Sequence, residues 1–236
     1  MNALPPSRTR IKICGLTREQ DVDAAVHAGA DAIGFVMYPK SPRYVRPERA
    51  AELARRLPPF VTPVLLFVNA ALDDIRHACA LVPGAALQFH GDESPADCAA
   101  AAWAVARPWL RAARIPLGSS EQATSFDLLK FADEHSGAQA VLLDAHVEGY
   151  GGGGKTFNWS LLPPSVNSHL VLSGGLTPAN VTDGILQVRP RGLSLAVDVS
   201  SGVETDAPQG LGTLKGIKDP LKIHQFVAAV RAADGH

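Results

Sequence analysis

The chain has 236 residues, room for one sizeable core, with 22 basic side chains against 23 acidic ones and a formal net charge of −1. That balance gives no global field to attract nucleic acid or an anionic membrane, so an anionic ligand has to be captured locally. No stretch reaches the roughly 18 uninterrupted apolar residues of a bilayer span, and the start, Met1 to Thr9, lacks the apolar core of a secretory signal.

The cysteines Cys14, Cys79 and Cys98 are odd in number and widely spaced, with neither a disulfide framework nor a metal-ligand pattern. A reduced, cytoplasmic protein without metal is expected. Apolar runs with β-branched enrichment read as eight strands: Arg10 to Ile13, Ala32 to Val36, Thr62 to Val68, Ala85 to Phe89, Trp109 to Ile115, Gln139 to Leu143, His169 to Leu172 and Ser194 to Val199. Helical segments alternate with them. Their starts are marked by a capping box at Thr17-Arg-Glu-Gln20, by Pro47, by N-cap candidates Asn69 and Ser120, and by the pairs Thr177-Pro178 and Asp219-Pro220. Eight strand–helix units in a chain of this length predict a single-domain (β/α)8 barrel over residues 10–236, after a flexible tail of residues 1–9.

The connection after the sixth strand, Ala145 to Phe157, has no helical or strand period and holds four successive glycines, so it reads as an active-site loop. Gly149 to Thr156 also fits Gly-x-x-x-x-Gly-Lys-Thr. The setting argues against a nucleotide loop, because four residues separate the first glycine from the strand end and Pro163-Pro164 cut the following helix short. Later in the chain, the runs His169 to Pro178 and Leu195 to Glu204 each lead from a strand into a small-residue turn rich in backbone N–H donors. Successive turns of this kind make a phosphate cradle, which in barrels commonly follows strands seven and eight. A phosphorylated small molecule is the expected ligand.

Strand ends carry the candidate chemistry. Cys14 closes the first strand at the functional rim, where a thiolate favoured by nearby positive charge would serve as base or nucleophile. Lys12 shares its strand face and suits an interior ion pair. Asp144 ends the sixth strand, and a carboxyl buried there without partners would keep its proton, as a general acid must. Arg43, in Ser41-Pro-Arg43, is either a planar fork for a carboxylate or a surface charge. Asp198 either accepts from a sugar hydroxyl or holds its turn, and His90 reads as a satisfied structural histidine. Cys79 and Cys98 read as core filler. A thiol and a carboxyl facing one phosphorylated sugar suit isomerisation without a cofactor.

These residues together resemble the phosphoribosylanthranilate isomerase family. The match runs in order through Lys12-Ile-Cys-Gly15, Gly29 to Phe35, Ser41-Pro-Arg43, Phe67-Val-Asn69, Leu87-Gln-Phe-His-Gly91, Leu143-Asp144, Ser173 to Val181, Asp198 to Glu204 and Gly216-Ile-Lys-Asp219. The resemblance implies an Amadori rearrangement of N-(5-phosphoribosyl)anthranilate in tryptophan biosynthesis, with Cys14 as general base and Asp144 as general acid. It implies Arg43 on the anthranilate carboxylate, the amides of Gly174, Gly175, Ser201 and Gly202 on the phosphate, Ser200 close by, and a monomer or homodimer. Gly153 stands where the family often has threonine and Asn158 where it often has aspartate. Histidine-pathway isomerases are similar but carry aspartate at the position of Cys14. Indole-3-glycerol-phosphate synthase needs a lysine and glutamate set absent from these strand ends, and a catalytically silent binding barrel would not need Cys14 and Asp144 together.

Overall fold

The computed structural model describes residues 8–116, 126–145, 156–210 and 212–235. Eight parallel strands, β1 (Arg10–Cys14), β2 (Ala32–Val36), β3 (Thr62–Phe67), β4 (Ala86–Phe89), β5 (Trp109–Ile115), β6 (Ala140–Ala145), β7 (His169–Leu172) and β8 (Ser194–Val199), form a closed barrel in chain order. Pairing of β1 with β8, Lys12 opposite Asp198, closes the ring. Outside it lie α1 (Glu19–Ala28), α2 (Pro47–Ala54), α3 (Leu72–Leu81), α4 (Pro95–Val105), α5 (Leu128–Glu134), α6 (Val181–Val188) and α7 (Pro220–Asp234). Every expected strand is present, with ends shifted by at most two residues.

Strand alternation sorts the side chains into two cores. Ile11, Ile13, Phe35, Leu65 and Phe67 point outward into the large cluster shared with the helices. Their neighbours Cys14, Val36, Leu66 and Val68 cluster inside the ring, as do Ala112, Ala140, Leu142 and Val171 further round. The barrel is therefore filled rather than hollow, and polar groups collect at the carboxyl ends of the strands.

Several helix starts differ from expectation. Thr17 makes no capping box; its hydroxyl donates to the Gly216 carbonyl at 2.8 Å, and α1 opens after Arg18, whose guanidinium holds Asp21 instead. Asn69 does not cap α3, because its side chain accepts from the Asp92 amide at 2.8 Å and its backbone is left-handed, φ 49°. The helix expected at Thr177-Pro178 begins at Val181, and Asn180 ties the preceding turn by accepting from the Thr177 amide and donating to the Gly175 carbonyl. Pro47 and the Asp219-Pro220 pair act as expected, Asp219 accepting from the amides of Leu221 and Lys222. Ser120 lies outside the described residues.

Thr9 does not belong to a flexible tail: it is buried, and its amide and hydroxyl donate to Asp234 while Arg231 donates to its carbonyl. Beyond β8 the chain adds an unforeseen antiparallel hairpin, β9 (Glu204–Asp206) and β10 (Thr213–Lys218). Residues 146–155 of the glycine-rich connection lie outside the described residues. Where the chain is described again, Asn158 caps a single 3-10 turn, Trp159–Leu161, by accepting from the Ser160 amide at 3.0 Å. Asparagine thus does the capping work that aspartate would do.

Candidate active site

One cleft at the carboxyl ends of the strands collects Cys14, Arg43, Asp144, Asp198, Gly174, Gly175, Ser200 and Ser201 among its lining, whereas Gly202 lies behind that wall. Cys14 is the last residue of β1 and only 4 % exposed. Gly34 stands opposite it in register, and a Cβ there would lie 2.6 Å from the thiol sulfur, so the sulfur occupies space that only glycine leaves. Burial pushes the Cys14 thiol above its ordinary value; Lys12 pulls it down, the Asp198 charge adds to the rise, and burial wins. The thiolate expected from nearby positive charge is therefore not the resting form of this cleft.

Lys12 forms the interior ion pair its strand position suggested, its Nζ lying 2.8 Å from Asp198 Oδ1, with both groups buried. The second Asp198 oxygen accepts from the Ser173 hydroxyl at 3.2 Å. Asp198 is thus held by β1 and by the residue after β7.

Asp144 is 5 % exposed, but it is not without a partner as the apolar strand suggested. His90 Nε2 lies 3.0 Å from its Oδ2, and the other ring nitrogen lies 2.9 Å from Gln88 Nε2. His90 is satisfied, as expected, but by the candidate acid itself. The alternation Leu87-Gln-Phe-His90 held this signal, since positions two apart on a strand share a face. Behind the carboxyl sits Gly174, φ 77°, where a Cβ would lie 2.8 Å from Asp144 Oδ1 and 2.5 Å from the Ala145 nitrogen.

Among the described residues, the amides of Gly174, Gly175, Ser201 and Gly202 donate to no backbone acceptor in the turns after β7 and β8. The two turns touch: a Cβ on Gly202 would lie 1.9 Å from the Leu176 carbonyl oxygen. Gly202→Ala is therefore expected to force the turns apart and raise KM by roughly tenfold or more, because a lost charged hydrogen bond is worth about 1.5–3 kcal/mol. Steady-state kinetics check this, and an unchanged KM would remove the turn from the site.

Arg43 is buried, at 6 % exposure, which excludes the surface role. Its fork is already engaged, Nε donating to Glu204 Oε1 at 2.7 Å and Nη2 to Oε2 at 2.9 Å. Glu204 also accepts from the Gly216 amide and the Thr213 hydroxyl. Burial alone would push the Glu204 carboxyl up; Arg43 and Lys218 overcome it and hold it at about 2. Burial brings Lys218 down to about 8, and its Nζ also donates to the Ser200 carbonyl at 2.9 Å, anchoring that loop.

Arg43→Ala is expected to raise KM and to lower stability near neutral pH by about 3 kcal/mol, the low end for breaking a buried pair, since Lys218 remains beside Glu204. The Glu204 contribution is present above its unfolded value and is lost as pH falls through the folded one, so a variant with a less depressed carboxyl begins to lose it at higher pH. Denaturant titrations at neutral and acidic pH check both signs.

Sequence reasoning missed Gln88, the pairing of His90, and the lysines Lys40 and Lys215, which are exposed at the cleft. Lys215 belongs to the unforeseen β10, so nothing periodic pointed to it. Cys79 and Cys98 are buried on helices, with burial pushing Cys98 up to about 12, and they do not line the cleft.

The family model for N-(5'-phosphoribosyl)anthranilate isomerase matches residues 11–229. The chain belongs to this isomerase family. The N-(5'-phosphoribosyl)anthranilate isomerase of Leptothrix cholodnii is 61 % identical over 231 residues, covering 98 % of this chain and 94 % of its own. Among solved structures, the Thermotoga maritima phosphoribosyl anthranilate isomerase superposes with a TM-score of 0.77 at 39 % identity, covering 95 % of this chain and 99 % of its own. Another, in complex with reduced 1-(o-carboxyphenylamino)-1-deoxyribulose 5-phosphate, gives a TM-score of 0.74 at 36 % identity over the same shares. This isomerase of tryptophan biosynthesis thus carries its family's barrel along nearly its whole length.

Proposed function

We propose that the chain converts N-(5'-phosphoribosyl)anthranilate to 1-(2-carboxyphenylamino)-1-deoxyribulose 5-phosphate by acid–base catalysis, with Asp144 as acid and Cys14 as base. The observation that carries this reading is that the two groups, on β6 and β1, line one cleft with Gly174, Gly175, Ser200 and Ser201. Asp144 gives its proton to the furanose ring oxygen as the C1–O bond breaks, and the anilino nitrogen lone pair forms the iminium. Cys14 then takes the C2 proton, the C=N electrons return to nitrogen, and the enaminol tautomerises to the ketone. Only protons move, so no cofactor is required.

The amides of Gly174, Gly175, Ser201 and Gly202 hold the phosphate, with Ser200 beside them. Arg43 meets the anthranilate carboxylate with the donors Glu204 leaves unused, and Asp198 receives a sugar hydroxyl. Lys40 and Lys215 draw the anionic substrate to the mouth. Every group named comes from one chain, which suits a monomer or a homodimer working in the cytoplasm on a small phosphosugar, with neither nucleic acid nor membrane as partner.

The test is the loss of phosphoribosylanthranilate fluorescence with purified protein in the presence of EDTA. Turnover that EDTA leaves unchanged is expected; no turnover, or turnover that EDTA abolishes, overturns the reading.

A further inference from the structure

We propose that Gln88 is a positioning residue that fixes the tautomer of His90 and through it selects which oxygen of Asp144 carries the transferable proton. The proposal rests on the reading of Asp144 as the acid. Gln88 and His90 sit two residues apart on one inward face at the end of β4, Gln88 wholly buried and His90 at 5 % exposure. The Gln88 amide nitrogen, 2.9 Å from His90 Nδ1, has only hydrogens to offer, so Nδ1 presents its lone pair. The ring proton then resides on Nε2 and is donated to Asp144 Oδ2, 3.0 Å away.

Two consequences follow for the acid. With Oδ2 covered by a donor, the proton that leaves is carried on Oδ1, the oxygen packed against the Gly174 turn. After transfer, the Nε2–H bond is charge-assisted and steadies the new carboxylate. A hydrogen on Nδ1 would face the amide's own N–H, so the contact selects the tautomer that carries its hydrogen on Nε2.

Among the described residues Gln88 Oε1 is buried and has no hydrogen-bond partner, so Nε2 is the end of the amide that meets another side chain.

The experiment is two-bond 1H–15N correlation of the histidine rings in the full chain, with His90 assigned from the spectrum of His90→Gln. An Nε2-protonated ring is expected in the wild type, and an Nδ1-protonated ring overturns the proposal without any variant being made. Gln88→Glu supplies an acceptor to Nδ1, so a doubly protonated ring is expected with kcat lowered roughly tenfold and KM held within about twofold, as for lost orientation of a reacting group. Gln88→Leu removes the donor without adding charge, and a mixture of tautomers with reduced kcat is expected. An unchanged tautomer with unchanged kcat in Gln88→Leu also overturns the proposal. Failure of the acid reading looks different: Asp144→Asn then keeps wild-type kcat while the His90 spectrum stays Nε2-protonated.

Discussion

Cys14→Ala is expected to lower kcat by roughly 10²–10⁴-fold, the range for a positioned proton-transfer group, with the fold retained because one buried sulfur is exchanged for a small void. Cys14→Ser should be nearly as inactive, since a hydroxyl is a far weaker acid than a thiol and offers no base near neutral pH. Burial raises the thiol, so the active, deprotonated form gathers only as pH climbs. In the wild type kcat/KM should therefore still be rising above about 8.5, the ordinary thiol value. Lys12→Met removes the cation that opposes burial and leaves the Asp198 charge beside the sulfur unpaired, moving the rising limb to still higher pH. A flat wild-type profile across that range, or a limb that survives in Cys14→Ala, would detach the sulfur from the base.

The barrel was readable because its period-two apolar runs are short, β-branched and evenly spaced, and each inner–outer alternation leaves a mark in the sequence. Cys14, Asp144 and Asp198 were readable for a related reason: a polar residue closing an apolar strand has few places to point except the rim. Lys12 told of its ion pair by sharing the face of Cys14. Gln88 and His90 gave the same kind of signal, two polar residues at spacing two. Each of them alone is a common structural residue, and only the closed ring brings the His90 ring, just past β4, to within 3.0 Å of the Asp144 carboxyl on β6.

What escaped the sequence depends on contacts between distant segments. Thr17 and Gln20 spell a capping box, yet the Thr17 hydroxyl prefers a carbonyl 199 positions away, on β10. Arg43 read as either an open fork or a surface charge because its partner Glu204 is 161 positions off, at the start of β9. Gly202 read as a phosphate-turn glycine, but its tightest constraint is the Leu176 carbonyl of the neighbouring turn. Local pattern reports which face a residue takes, and it cannot report what a second loop places there.

Asp144→Asn is the sharper of the two catalytic tests, because it deletes a proton and little else. The amide keeps an oxygen within reach of His90 Nε2–H, so the buried ring stays paired, whereas Asp144→Ala strands that donor at a cost of about 1–3 kcal/mol. Both variants should lose kcat by roughly 10²–10⁴-fold, and only the alanine variant should lose stability to match. The step that slows differs from that in the Cys14 variants. Without its acid the enzyme is held up at ring opening, before the C2–H bond is touched, so substrate deuterated at C2 should turn over in Asp144→Asn at the same rate as unlabelled substrate. In Cys14→Ser the residual rate is limited by removal of that proton, and deuterium should slow it. A deuterium effect in Asp144→Asn equal to that in Cys14→Ser would mean that both residues act on one bond, and the carboxyl would have to be taken off the ring oxygen.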